Sequence, residues 1–194
     1  MNDFIFNLKY GLNHVLDING YDHVLFLMVL AVPYLFKDWK RVLILVSLFT
    51  IGHTLSLVLA AYDYVSINGA TVEFLIPLTI LIAAVYNIFT AGEQKRRRSI
   101  GVLFFAALFF GIIHGLGFAR EFTMVFGDVE NKPLALLAFA LGIELAQVIV
   151  VFIILFLGFL CQTIFRLSKR DWVLVLSSIV IGLVIPILIE NNIF

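Results

Sequence analysis

The sequence predicts an all-α, polytopic membrane bundle. About six transmembrane helices follow an N-terminal amphipathic or re-entrant segment, all within one domain over residues 1–194. Three observations predict it. Aliphatic, aromatic and sulfur-bearing residues make up 62% of the chain and charged residues only 13%, against about 25% charge in an ordinary soluble domain. Mean hydropathy is +1.09, more than a soluble core of this size can hide. The apolar residues also come in long runs, near the roughly 20 residues that cross a hydrocarbon layer of about 30 Å. Lipid offers backbone groups no partner, so such runs must be helices. The bilayer is therefore the first partner expected.

The elements follow in order. Residues 1–20 mix Asp3, Asn7, Lys9, Asn13, His14, Asp17 and Asn19 with Phe4, Leu8, Leu12, Val15 and Leu16 at helical spacing. That pattern suits an amphipathic helix against or dipping into the membrane. The next span, 21–36, has an apolar run of only Val24–Phe36, so its polar start at Gly20-Tyr21-Asp22-His23 must enter the membrane. Five clearer runs follow at Val42–Tyr62, Val72–Ala91, Ile100–Ala119, Leu134–Leu160 and Trp172–Ile189. Connections are short, and no leader peptide is expected to be cleaved. Cys161 is the one cysteine, so no internal disulfide forms.

Lysine and arginine set the orientation. Ten of the thirteen fall in alternate connections: Lys37, Lys40 and Arg41; Lys95 and Arg96, Arg97, Arg98; Arg166, Lys169 and Arg170. Lys9, Arg120 and Lys132 fall on the other side. The asymmetry predicts cytoplasmic basic loops and both termini outside. Net charge is zero, which argues against a nucleic-acid partner.

With that topology, depth follows from about 1.5 Å per residue. His114 lies roughly 8 Å below the outer end of its helix, His53 roughly 14 Å, and Glu144 about 15 Å. Glu73 and Asp22-His23 start their helices on the same side. All four histidines and the two glutamates inside apolar runs thus fall in the outer half. Ionisable groups at depth are costly unless they face the bundle interior and pair. Imidazole with carboxylate suits a divalent transition metal such as nickel, cobalt or zinc, and can also relay protons.

Each residue also has a plain structural reading. His53 can be satisfied by the hydroxyls of Thr50, Thr54 and Ser56. His114 can serve close packing beside Gly111, Gly115 and Gly117. Asp22-His23 can cap a helix start, and being adjacent they share one site only where that start is irregular. His14 can lie exposed at the surface. Glu73 can favour a helix dipole, and Asn87 can bond between helices or line an exit path. Glu144, sharing a face with Gln147, is the hardest to explain structurally. The serine-hydrolase elbow, the phosphate loop, His-Glu-x-x-His and cysteine pairs are missing from the sequence.

A family resemblance rests on an ordered set of segments. These are Gly20-Tyr21-Asp22-His23-Val24-Leu25-Phe26, Phe49-Thr50-Ile51-Gly52-His53-Thr54-Leu55-Ser56-Leu57, and Val72-Glu73 followed by Ile76. Phe110-Gly111-Ile112-Ile113-His114-Gly115-Leu116-Gly117-Phe118-Ala119 and Leu141-Gly142-Ile143-Glu144-Leu145-Ala146-Gln147 complete it. Together they resemble the second subgroup of the HupE/UreJ family of small bacterial membrane proteins, from about Gly11 to Gln147. Residues 148–194 match only as apolar helices. The chain lacks the His-Pro-Gly and His-Asp-Gly start of the best-known members, a region that His14 partly fills. The resemblance implies association with hydrogenase or urease systems, nickel or cobalt permeation, and the bacterial cytoplasmic membrane.

The leading expectation is a permease whose metal ligands are His23, His53 and His114, with His14, Asp22 and Glu144 as further ligands. Glu73, Asn87, Gln147, Thr50 and Ser56 then support the ligands or line the path. The alternative is a membrane-embedded metal-dependent hydrolase, with Asp22, Glu73 or Glu144 as general base, acting on a lipid, lipoprotein or membrane peptide. A third reading is a helical partner subunit without catalysis, and a homo-oligomer is compatible with all three. The rivals differ in pathway, since a permease needs polar groups continuing inward and the inner half supplies Asn87, Thr79, Ser47 and few others.

Overall fold

In a computed structural model of the chain, residues 2–17, 20–65, 68–92, 100–127 and 129–193 are described. The basic stretch Lys95 to Arg98, used above for orientation, lies outside them, as does Asn19. The described residues form seven helices: α1 Asn2–Leu16, α2 Asp22–Ala31, α3 Trp39–Ala61, α4 Gly69–Thr90, α5 Ile100–Phe126, α6 Lys132–Thr163 and α7 Lys169–Glu190. A 3-10 turn, Phe36–Asp38, leads into α3. Side-chain caps set several starts. Asn68 accepts from the Ala70 N–H, Asn131 from that of Leu134, and Ser168 from that of Asp171. Each satisfies a donor that the first helical turn leaves free.

Five helices, α3 to α7, are long and apolar enough to cross a bilayer. The chain is a multi-pass membrane protein. The sixth expected span, over 21–36, is not a crossing helix. Its helical part, α2, has ten residues and reaches only about 15 Å, before the turn at Val32-Pro33-Tyr34. Pro33 has no N–H to give, and Asp38 instead satisfies the Leu35 N–H at 3.2 Å.

Two glycine seams fix the packing around the site. α3 and α5 run parallel and pack more extensively than any other pair. A Cβ on Gly52 would meet the backbone of Leu108, one on Gly111 the backbone of Phe49, and one on Gly115 the Ser56 hydroxyl and the His53 carbonyl. α1 and α6 form the second seam, where a Cβ on Gly11 would strike the Phe139 carbonyl and one on Gly142 that of Leu8. The buried face of α1 is consequently Asn7, Gly11 and Val15. Leu8 and Leu12 are only half-buried, because backbone contact takes the place that leucine packing would have filled.

Contacts along α1 show which way it points. The Tyr10 ring meets Phe126 at the end of α5, 5.5 Å between centroids, and its hydroxyl donates to Glu121 at 2.7 Å. One turn later the His14 ring packs on Phe118 at 3.9 Å and reaches toward His53 at 5.7 Å. α1 therefore descends from the α3–α4 end of the bundle into its interior. α2 starts where α1 stops and continues beside α6 toward the opposite end. The amphipathic segment and the short apolar helix thus follow one another into the bundle, α1 ending at Leu16 and α2 starting at Asp22.

Candidate metal centre

The break between α1 and α2 puts two histidines where two crossing helices each present another. His14 closes α1 and His23 opens α2, with ring centroids 4.7 Å apart. His53 on α3 stands 5.7 Å from His14 and 5.6 Å from His23. His114 on α5 stands 5.4 Å from His23. One ligand nitrogen from each of His14, His23 and His53 can be chosen so that all three lie within 4.8 Å of one another. Metal–nitrogen bonds of about 2.1 Å put tetrahedral ligands about 3.4 Å apart, so small side-chain adjustments close the triad on an ion. His114 is the fourth imidazole at the same level.

The hydrogen bonds of these rings leave other ring nitrogens without partners. The Asp22 carboxylate accepts from the His23 backbone N–H at 2.8 Å and from Nδ1 at 3.1 Å. With the proton drawn to Nδ1, Nε2 of His23 keeps its lone pair. On α5, His114 Nδ1 donates to the Phe110 carbonyl at 2.8 Å, one turn back, which again frees Nε2. Five buried imidazole nitrogens have no protein partner: Nε2 of His14, His23 and His114, and both nitrogens of His53. An unpaired buried polar atom costs about 1–3 kcal/mol, so five in one place are hard to account for without a ligand. A carboxylate on the remote nitrogen of a metal-binding histidine also holds its ring and raises its basicity. Asp22 occupies that position, which resolves how adjacent Asp22 and His23 serve one site.

Glu144 sits apart from the histidine triad. Its Oε1 accepts from Ser47 at 2.6 Å, its Oε2 accepts from Thr50, and Thr50 also lies 2.9 Å from Gln147 Oε1. These groups join α3 to α6. Ser56 donates to the His53 carbonyl at 2.8 Å and supports the backbone there. Asn87 donates to the Val29 carbonyl at 2.6 Å, joining α4 to α2. Glu73 is exposed and lines a cleft of about 280 Å³ with Gly20, Tyr21, Asp22 and Glu190.

The HupE/UreJ protein family model matches residues 1–190. The chain belongs to that family. The match reaches past Gln147 through α6 and α7, where sequence reading recognised only apolar helices. The HupE/UreJ family is associated with nickel and cobalt transport. No curated protein and no solved structure matches the chain.

One part of this HupE/UreJ protein that sequence reasoning missed is a cavity beside His14. Its volume is about 420 Å³, and it is lined by Tyr10, Asn13, His14, Leu16, Asp17, Phe118 and Glu121. The Tyr10–Glu121 hydrogen bond spans its α1 and α5 walls. Glu121 lies seven residues, two helical turns, beyond His114, and Tyr10 lies one turn before His14. Both intervals were readable as shared faces.

On the other side of the histidines the wall is aromatic. Phe26 stacks on Phe49 at 4.6 Å and meets Phe110 edge-on at 5.7 Å. His114 packs against Phe26 and Phe49. Beyond lies an almost wholly apolar cavity of about 250 Å³, which Asn87 borders.

Proposed function

We propose that this protein is a divalent transition-metal permease, of nickel or cobalt type, in the bacterial cytoplasmic membrane. The observation that carries the reading is the convergence of His14, His23, His53 and His114 with five unpartnered nitrogens. Imidazole suits nickel and its first-row neighbours, and the family's association with nickel and cobalt points the same way. His14, His23 and His53 bind the ion, His114 completes its coordination, and Asp22 orients His23. α1 and α2 together act as the sixth span, interrupted at the metal site as in other carriers that build ion sites from broken helices. Both termini and the α3–α4 connection then face outward, so the ion arrives through the cavity beside His14 and the cleft beside Asp22.

The hydrolase reading gains no support from the site. Asp22 Oδ1 is engaged by His23, Glu144 accepts from two hydroxyls, and Glu73 opens onto the outer cleft.

Uptake into proteoliposomes tests the proposal. Wild-type protein should carry external nickel or cobalt ions to a metal-sensitive dye inside, with saturable kinetics, and His53→Ala should abolish the signal. Uptake by wild type no faster than by protein-free liposomes would end the permease reading.

A further inference from the structure

Beyond the histidines, α3 carries a polar stripe at every third residue: Ser47, Thr50, His53 and Ser56. Ser56 lies toward the end with the two polar cavities. Thr50 and Ser47 lie one and two turns past His53 on the other side, about 4.5 and 9 Å along the axis. There they meet Glu144 and Gln147 of α6. The second continuation from the histidines is the Phe26–Phe49–Phe110 wall, which offers a cation nothing but ring faces. The seam between α3 and α6 is therefore the polar route onward.

The chemistry of that seam differs from the histidine site. Its donors are all oxygen: two carboxylate oxygens, two hydroxyls and one amide. One hydroxyl in it is oversubscribed. The Thr50 hydroxyl has one hydrogen to give, yet Glu144 Oε2, Gln147 Oε1 and the Val46 carbonyl all lie within reach of it. Gln147 is fully buried, and its Nε2 has no partner. Turning the amide over gives the Thr50 oxygen an N–H in place of a third competing acceptor and puts Oε1 where Nε2 has no partner, leaving a buried carbonyl oxygen unpaired. Surplus oxygen lone pairs in a buried place call for a cation.

We propose that Ser47, Thr50, Glu144 and Gln147 form a second cation station, oxygen-only, which receives the divalent ion from the histidine cluster. Its place on a route rests on the permease reading; its existence as a site does not. Conduction needs binding firm enough for entry and weak enough for exit, with more than one site along the way. Three imidazoles hold a nickel-like ion firmly, whereas carboxylate and hydroxyl oxygens suit harder ions such as manganese. A step from nitrogen to oxygen donors loosens the ion as it moves inward. Glu144, half-buried between two hydroxyls, supplies the negative charge that the histidine cluster has only through Asp22.

Manganese separates the two stations. Mn²⁺ titration of detergent-solubilised protein, followed by electron paramagnetic resonance, should detect a site that His53→Ala retains. Glu144→Gln, which keeps shape and hydrogen-bonding capacity, should weaken it by at least about tenfold, and Thr50→Val should weaken it less. Nickel loading of Glu144→Gln should stay close to wild type while its nickel uptake into proteoliposomes falls to the protein-free rate. The station is refuted if Glu144→Gln leaves Mn²⁺ binding unchanged, or if it strips nickel as completely as His53→Ala, which would make one merged site. Should wild type fail to transport at all, the permease reading falls, and the Mn²⁺ result still decides whether the station exists.

Discussion

Proton placement on two histidines decides what the cluster can bind. Asp22 draws the His23 proton to Nδ1, and the Phe110 carbonyl draws that of His114 to Nδ1. The nitrogens left over carry lone pairs into the space that His14 and His53 also face. Asp22→Asn keeps the shape but removes the charge that holds the His23 ring. Metal affinity should fall by about tenfold to a hundredfold, with the fold unchanged by circular dichroism and the stoichiometry preserved. A titration with a competing chelator measures this. His53, His114 and Glu144 were readable as candidates from their depth in apolar runs, since an ionisable group there needs a partner, and Asp22-His23 and His14 from a polar helix start and an amphipathic segment on the same side. The split between the nitrogen cluster and the Glu144 group was not. Depth places His53 and Glu144 at one level, but which face of α6 meets which turn of α3 depends on the rotation of each helix. The seating of α3 on α5 is set by Gly52, Gly111 and Gly115 and that of α1 on α6 by Gly11 and Gly142, contacts that only the packed bundle reveals.

At the scale of elements, the glycine seams hold the ligand-bearing helices at backbone distance. Sequence reading saw Gly111, Gly115 and Gly117 as a surface for close approach. Gly111 and Gly115 do meet α3, whereas Gly117 faces the side chains of Ile76 and Val72 on α4. Less legible was the seam of α1, because its leucines suggested a leucine-faced helix while Gly11 and Gly142 are what touch. Gly142→Ala should push α1 away from α6, since a methyl group would meet the Leu8 carbonyl. Overpacking of this kind costs about 1–3 kcal/mol. His14 rides on α1, so the substitution should weaken metal binding although it touches no ligand. Gly182→Ala, at a position with open space around its Cα, should leave both stability and metal affinity as in wild type. Thermal unfolding in detergent, with and without metal, compares the two.

For the whole molecule, composition and run length were enough to give a helical membrane protein, and α3 to α7 lie where the apolar runs fall. The region expected as a sixth span was harder to read. Its helix α2, and α1 before it, are each too short to cross, and the polar residues between them look in sequence like an interfacial loop. His23 is buried there with its Nδ1 on the Asp22 carboxylate, a pairing that lipid cannot supply. The proposed topology has α7 ending outside. On intact cells, a membrane-impermeant maleimide should label Glu190→Cys in a Cys161→Ser background. Arg166→Cys, at the opposite end, should react only after permeabilisation. Reversed labelling would invert the topology and move the polar cavities to the cytoplasmic face.

The most direct measurement is metal content at equilibrium. Purified wild-type protein, loaded with nickel or cobalt and freed of excess ion, should retain one tightly held equivalent. Its X-ray absorption spectrum should show imidazole nitrogens at about 2.0–2.1 Å. His23→Ala and His53→Ala should each lose that equivalent, and His114→Ala should hold it more weakly. Wild-type protein that retains no metal under any loading condition, or retains it undiminished in His53→Ala, would contradict the account at its centre.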